Sequence, residues 1–234
     1  MNEQGYIEKT KAQAIEAFRR HHLILDDREN GRWRIARKYD DGSIEGQYAT
    51  EVISLWGGRL YVGGDIDDCT FAYYSGGHTQ DTAAWHLAKL RWMGEDDDLG
   101  YYVVQKAAVG MTDGNRLTKV WDSDVALYDL NDYIRSASDE EDKFKAAMQE
   151  AINVVRQGGD EREMCECLAS ALDDGGVDIL GSIGMVTAPR VIYAWAAMHR
   201  LCELIREKDE VATKESWTPL DPPPEDWDGS EPLS

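Results

Sequence analysis

Between residues 51 and 75 the chain reads EVISLWGGRLYVGGDIDDCTFAYYS, and the glycine pair at its first bend most narrows the folds open to it. Strand-forming runs from Glu51 to Trp56 and from Arg59 to Val62 flank Gly57-Gly58, the composition of a two-residue antiparallel hairpin. A third strand, Cys69–Tyr74, is expected after the Gly63–Asp68 loop. Upstream, Trp33, Ile35 and Arg37 alternate with basic residues, and after the Asp40-Asp41-Gly42 turn another strand is expected to begin near Tyr48. These runs predict an antiparallel meander of four or five strands.

On both sides of the meander the period becomes helical. Ile7, Lys11, Ala14, Ile15, Phe18 and His22 recur at three- and four-residue spacing and predict a helix over 8–25, with a turn at Asp26–Gly31. Asp81–Gly94 predicts a second helix, N-capped by Asp81 or Thr82, with Trp85, Leu87, Ala88 and Trp92 on its buried stripe. Gly100–Gly110 is short and apolar, and fits a helix or a buried strand equally. Ser123–Arg135 predicts an amphipathic helix capped by Ser123 or Asp122. Ser138 and Glu141 then form a capping box for a helix reaching about Gln157 and stopped by Gly158-Gly159. A further helix, Asp160–Leu172, ends at Asp173-Asp174-Gly175-Gly176, and Pro189 opens the apolar helix Arg190–Lys208.

Strands clustered early and helices clustered late mean α+β rather than a parallel α/β fold. The expected organisation is a helix-plus-antiparallel-sheet domain over 1–115, a helical domain over 116–210 and an acidic, proline-rich, disordered tail over 211–234. A 42% hydrophobic fraction with eight tryptophans argues for folded cores despite the charge. The four cysteines, Cys69, Cys165, Cys167 and Cys202, suggest no disulfide framework, and the N-terminal residues lack the apolar run of a signal peptide. A cytoplasmic protein is therefore expected, with no membrane span.

The net charge of −20 limits the partners. Residues 1–120 carry 15 basic and 19 acidic side chains, a net −4; residues 121–234 carry 10 and 26, a net −16. Such a field repels nucleic acid and anionic membrane and attracts the basic surfaces that grip a phosphate backbone. Asp139, Glu140, Glu141, Asp142, Asp160, Glu161, Glu163, Glu166, Asp173 and Asp174 are the acids that could line up as a DNA mimic. Trp217 and Trp227 would anchor such an interface. The plain alternative is a solvated acidic face that keeps the protein soluble. A basic N-terminal cluster (Arg19, Arg20, His21, His22, Arg32, Arg34, Arg37, Lys38) facing an acidic half would also suit a homodimer.

No catalytic signature is present. Five histidines show no spacing that pairs one with a nucleophile, and there is no glycine-rich phosphate loop or Gly-x-Ser-x-Gly elbow. Asp65, Asp67, Asp68, His78 and His86 could hold a divalent metal if their loop folded back on the next helix, although turn and cap composition explains the same residues. Cys165 and Cys167 are two apart on a helix and point in different directions, so they form no zinc site with His199 and Cys202. Asp122, Asp124, Asp129 and Asp132 begin like a calcium loop but lack its central glycine. No cofactor is implied.

The segments SLWGGRLYVGGDIDDCTFAYYSG, LRWMG, YYVVQKAAVGM and IGMVTAPRVIYAWAAMHRLCEL resemble proteins encoded by tailed bacteriophages and prophages of proteobacteria. The resemblance implies a phage accessory protein, and it carries over no catalytic residue. Small acidic phage proteins of this kind often act by binding host defence machinery. The expected function is thus an anti-defence or anti-CRISPR inhibitor, whose partner is a host complex with a basic surface rather than nucleic acid or membrane. The alternatives are a metal-dependent phage enzyme acting on nucleotides and a virion assembly protein.

Overall fold

A computed structural model describes residues 1–55, 59–64, 66, 69–72, 82–95, 119–137, 142–172 and 182–216. The fold is α+β. It opens with helix α1 (Glu3–Phe18), continues through strands β1 (His21–Asp27), β2 (Arg32–Lys38), β3 (Ile44–Leu55), β4 (Arg59–Gly64) and β5 (Cys69–Ala72), and reaches α2 (Ala83–Gly94). Strand β6 (Lys119–Trp121), helices α3 (Ser123–Ser136), α4 (Asp142–Arg156) and α5 (Glu161–Ala171), strand β7 (Met185–Thr187) and the long helix α6 (Pro189–Ser216) complete it.

The first five strands form an antiparallel meander in sequence order. Period-two alternation puts Trp33, Val52, Val62 and Cys69 opposite one another in a row across the inner face, next to a second row of Ser54, Leu60 and Phe71. The inner face is dry, while Arg32 and Arg34 on the opposite face are exposed. Across the inner face lies α6, which touches α1, α2 and strands β1, β2, β4 and β5. Seven of the eight residues from Val191 to Met198 are buried, so this stretch is apolar all round and requires cover on several sides. The sheet, α1 and α2 supply that cover.

A separate core fills the α3–α5 bundle, built from Leu130, Met148, Ile152, Val155, Met164 and Leu168 among others. The two cores do not follow chain order, because α6 comes last in sequence and packs into the first. The short β6–β7 pair brings the chain back to α6, and β7 touches α1.

Several elements differ from the sequence reading for identifiable reasons. The first helix ends at Phe18, and His21–Asp27 is a strand, because Leu23 gains a partner in Ile35 on the inner face of the sheet. Strand β3 begins at Ile44 rather than near Tyr48. Leu55 pairs with Arg59, so three residues rather than two connect β3 to β4. In α2 the buried positions are His86, Lys89, Leu90, Met93 and Gly94, while Ala88 is exposed and Trp92 is 41% exposed. The true stripe has helical spacing but contains two polar residues, which hides it from a hydrophobicity count. Gly94 belongs to it because a Cβ there would lie 2.8 Å from both the Met198 carbonyl and Cys202 Sγ, where α2 crosses α6. Strands β6 and β7 were not legible, and α6 continues past Lys208 to Ser216. Residues 100–110 lie outside the described residues.

The packing distinguishes two tryptophans that sequence treats alike. Trp195→Ala, at the fully buried centre of α6, is expected to cost about 3–5 kcal/mol in denaturant unfolding. Trp92→Ala should stay within about 1 kcal/mol of the parent.

Candidate functional site

The acidic half is organised around α4 and α5. Connections of a few residues join α3 to α4 and α4 to α5, and consecutive members of the bundle pack together, so the three helices run up, down and up. Tyr133 in the last turn of α3 meets Phe144 in the first turn of α4 edge-on, with ring centroids 6.4 Å apart. The start of α4 and the end of α5 therefore share one end of the bundle. Asp142, the first residue of α4, stands there, and the Asp139-Glu140-Glu141 and Asp173-Asp174 segments attach there by sequence, themselves lying outside the described residues.

Along α5 the expected acids are all exposed, and three of them also have local structural tasks. Asp160 caps the helix by accepting from the Glu163 amide at 2.9 Å, and Glu163 Oε2 accepts from the Asp160 amide at 3.1 Å. Glu166 accepts from Arg162 Nε at 2.8 Å, one turn away. Glu161 is exposed in the first turn, where a carboxylate complements the helix dipole. Most of the excess charge lies outside the described residues. Residues 138–141, 173–181 and 217–234 carry three, three and five acids and no basic residue, so they hold eleven of the sixteen net negative charges of residues 121–234. Trp217 and Trp227 are in the last of these segments, outside the described residues.

The other carboxylates and soft ligands resolve into structural roles. Asp122 caps α3 through the Val125 amide at 3.0 Å, and Asp129 accepts from the Gly184 amide at 2.9 Å. Asp132 pairs with Arg135, and Asp124 faces water. Cys165 and Cys167 border the second core, whereas His199 and Cys202 belong to α6 in the first. His199 stacks on Trp195 and meets the Gly94 carbonyl at 2.8 Å, and burial pushes the Cys202 thiol up to about 12. Among the described residues no three His, Cys, Asp or Glu side chains come together as a metal site. Asp65, Asp67, Asp68 and His78 lie outside the described residues.

His86 turns inward instead, and here the structure makes a pairing that sequence spacing did not reveal. Its Nδ1 lies 2.7 Å from Ser54 Oγ, and both residues are buried. A serine beside an imidazole is the beginning of a nucleophile–base pair. Gly31 closes it off: with φ +62, its missing Cβ would sit 2.7 Å from Ser54 Cβ and 2.8 Å from the His86 ring. The backbone packs tightly against the buried pair, which acts as a clamp between β3 and α2. Lys89, 1% exposed, extends the clamp by donating to the Leu55 carbonyl at 3.1 Å. No spacing rule links residues 31, 54, 86 and 89; only the meander brings them together.

A second polar clamp holds the C-terminal part of α6. The Asp26 carboxylate accepts from Arg28 at 3.0 Å, from Trp33 Nε1 at 3.2 Å and from Lys208 Nζ at 2.7 Å. Arg28 also grips Asp209 with both terminal nitrogens, at 2.7 and 3.2 Å. Burial pushes the Asp26 carboxyl up, but the hydrogen bonds and charges of Arg28 and Lys208 outweigh it and leave the group below the usual carboxylate range.

Neither a protein-family model, nor a curated protein, nor a solved structure matches this chain. No helix among the described residues is long and apolar enough to cross a membrane.

Because the Asp26 carboxyl is depressed on folding, its contribution is complete above the carboxylate range of the unfolded chain and is lost as pH falls through the folded value. Asp26→Asn is expected to cost roughly 2–3 kcal/mol at pH 7, with a gap from the parent that narrows toward pH 3 in denaturant melts. A constant gap across that range would contradict the assignment.

Proposed function

We propose that this chain is a phage-encoded, acidic binding protein that inhibits a host nucleic-acid-handling defence complex, a CRISPR effector or a restriction enzyme, by occupying its basic channel. The observation that carries the reading is the acidic track of the bundle. Exposed Asp160, Glu161, Glu163 and Glu166 occupy the cap and first two turns of α5, and both acidic connections attach at the other end of the bundle, where α5 ends and α4 begins. At 1.5 Å per residue the stretch from Asp160 to Glu166 rises about 9 Å, comparable to between two and three phosphate steps of one strand at about 3.4 Å along a duplex axis. The capping-box carboxylates Asp160 and Glu163 remain exposed, whereas Glu166 is paired with Arg162.

The sheet half contributes rigidity in this reading, since its inner face is filled by α6 and its Ser54–His86 pair is buried. The partner's surface is basic, association is steered by charge, and binding weakens as salt screens it. Expression of tagged protein in its bacterial host should recover a nuclease or CRISPR complex at low salt and lose it at high salt.

The combined substitution Asp139→Lys, Glu140→Lys, Glu141→Lys and Asp142→Lys is expected to reduce affinity for that complex by at least roughly tenfold and to abolish inhibition, with the far-ultraviolet spectrum unchanged. Because Asp142 sits in the first turn of α4, a loss of about 0.3–1 kcal/mol in stability accompanies the change. Inhibition that survives it would defeat the mimicry.

A further inference from the structure

The sheet domain contains a second feature of opposite sign. At one end of the meander, a cavity of about 480 Å³ opens between the last turn of α1, the inner edge of β1–β3 and the second turn of α6. Arg20, His21, Arg37, Thr50 and Tyr193 line it, with Phe18 and Ile66 as apolar walls. His21 and Arg37 are cross-strand partners on β1 and β2, and both line the cavity. Phe18 packs on the His21 ring with centroids 4.8 Å apart, and His21 and Thr50 are 7% and 1% exposed, so they form the buried floor.

We propose that this cavity binds a small oxyanion-bearing ligand of the phosphate-monoester class. Two guanidinium groups and an imidazole can donate to the oxyanion, and guanidinium forks suit phosphate geometry. The Tyr193 hydroxyl can donate or accept beside them. Phe18 and Ile66 offer an apolar surface to the organic part. The volume is in the range of small-molecule sites, roughly 300–1,000 Å³. One acid, Glu16, is among the lining residues; its carboxylate pairs with Arg19 at 3.5 Å on the exposed side. The chain's net charge of −20 does not forbid an anion here, because at physiological salt exposed charges are largely screened beyond about 8 Å. The acidic track of the bundle and this pocket are separate surfaces, and the site stands whether or not the protein inhibits a defence complex.

The test is calorimetric titration of the full chain with inorganic phosphate and with adenosine monophosphate, using adenosine as the neutral control. Both phosphates are expected to bind and adenosine to bind at least tenfold more weakly. Arg37→Ala and the exposed Arg20→Ala should each weaken phosphate and adenosine monophosphate about tenfold or more, and Arg59→Ala on the outer face should change neither. Circular dichroism checks the fold; if Arg37→Ala fails to fold, Arg20→Ala alone decides. No binding of either phosphate at millimolar concentration, or binding indifferent to Arg20→Ala, overturns the proposal.

Discussion

The whole first core depends on the burial of one helix. From Val191 to Met198, α6 presents apolar side chains in almost every direction, and a helix of that kind has no solvent face to spare. A single sheet could cover one side of it. The meander does so with Trp33, Val52, Val62 and Phe71, while α1 and α2 close the flanks through Phe18, Leu90 and Met93. At roughly 25 cal/mol per Å² of apolar surface, an arrangement of this kind gains far more from covering Trp195, Met198 and Leu201 than from any single hydrogen bond it contains. That difference explains why the last helix of the chain leaves its sequence neighbours and packs against the first strands.

Polar groups inside that arrangement then set how it is positioned. His86 and Lys89 are on the buried face of α2 and find Ser54 and a backbone carbonyl of β3, which fixes the helix relative to the sheet. Asp26 and Arg28 hold the far end of α6 through Lys208 and Asp209. Both clamps are non-local, and each would be costly if half made, because a buried donor or charge without its partner loses its solvation. They specify position rather than supply the main driving force. The second core works more simply, as amphipathic helices, and the acids of α5 stay on its water side.

The parts that were legible in sequence are those whose signal is local. The helix beginning at Asp160, the Asp122 and Thr82 caps, Pro189 at the start of α6 and the meander after Arg32 all follow from side-chain chemistry acting within a few residues, whereas the capping box read at Ser138 and Glu141 lies outside the described residues. The acidic track could be read in the same way, since charge and helical period are both one-dimensional properties. The buried stripe of α2 was misread because His86 and Lys89 look like surface residues until Ser54 and Leu55 are placed beside them. Strand β1 was read as helix because His21–Leu25 is too short for periodicity to decide, and only pairing with β2 decides it.

The sequence by itself determined an α+β chain with strands early, helices late, sound helix ends and a strongly acidic second half, because propensity, capping and charge are written residue by residue. Tertiary structure alone decided that α6 belongs to the sheet, that Ser54 meets His86 beneath Gly31, and that Arg20, His21, Arg37 and Tyr193 surround one cavity. Those outcomes depend on which surfaces exclude water together, and that is a property of pairs of residues far apart in the chain.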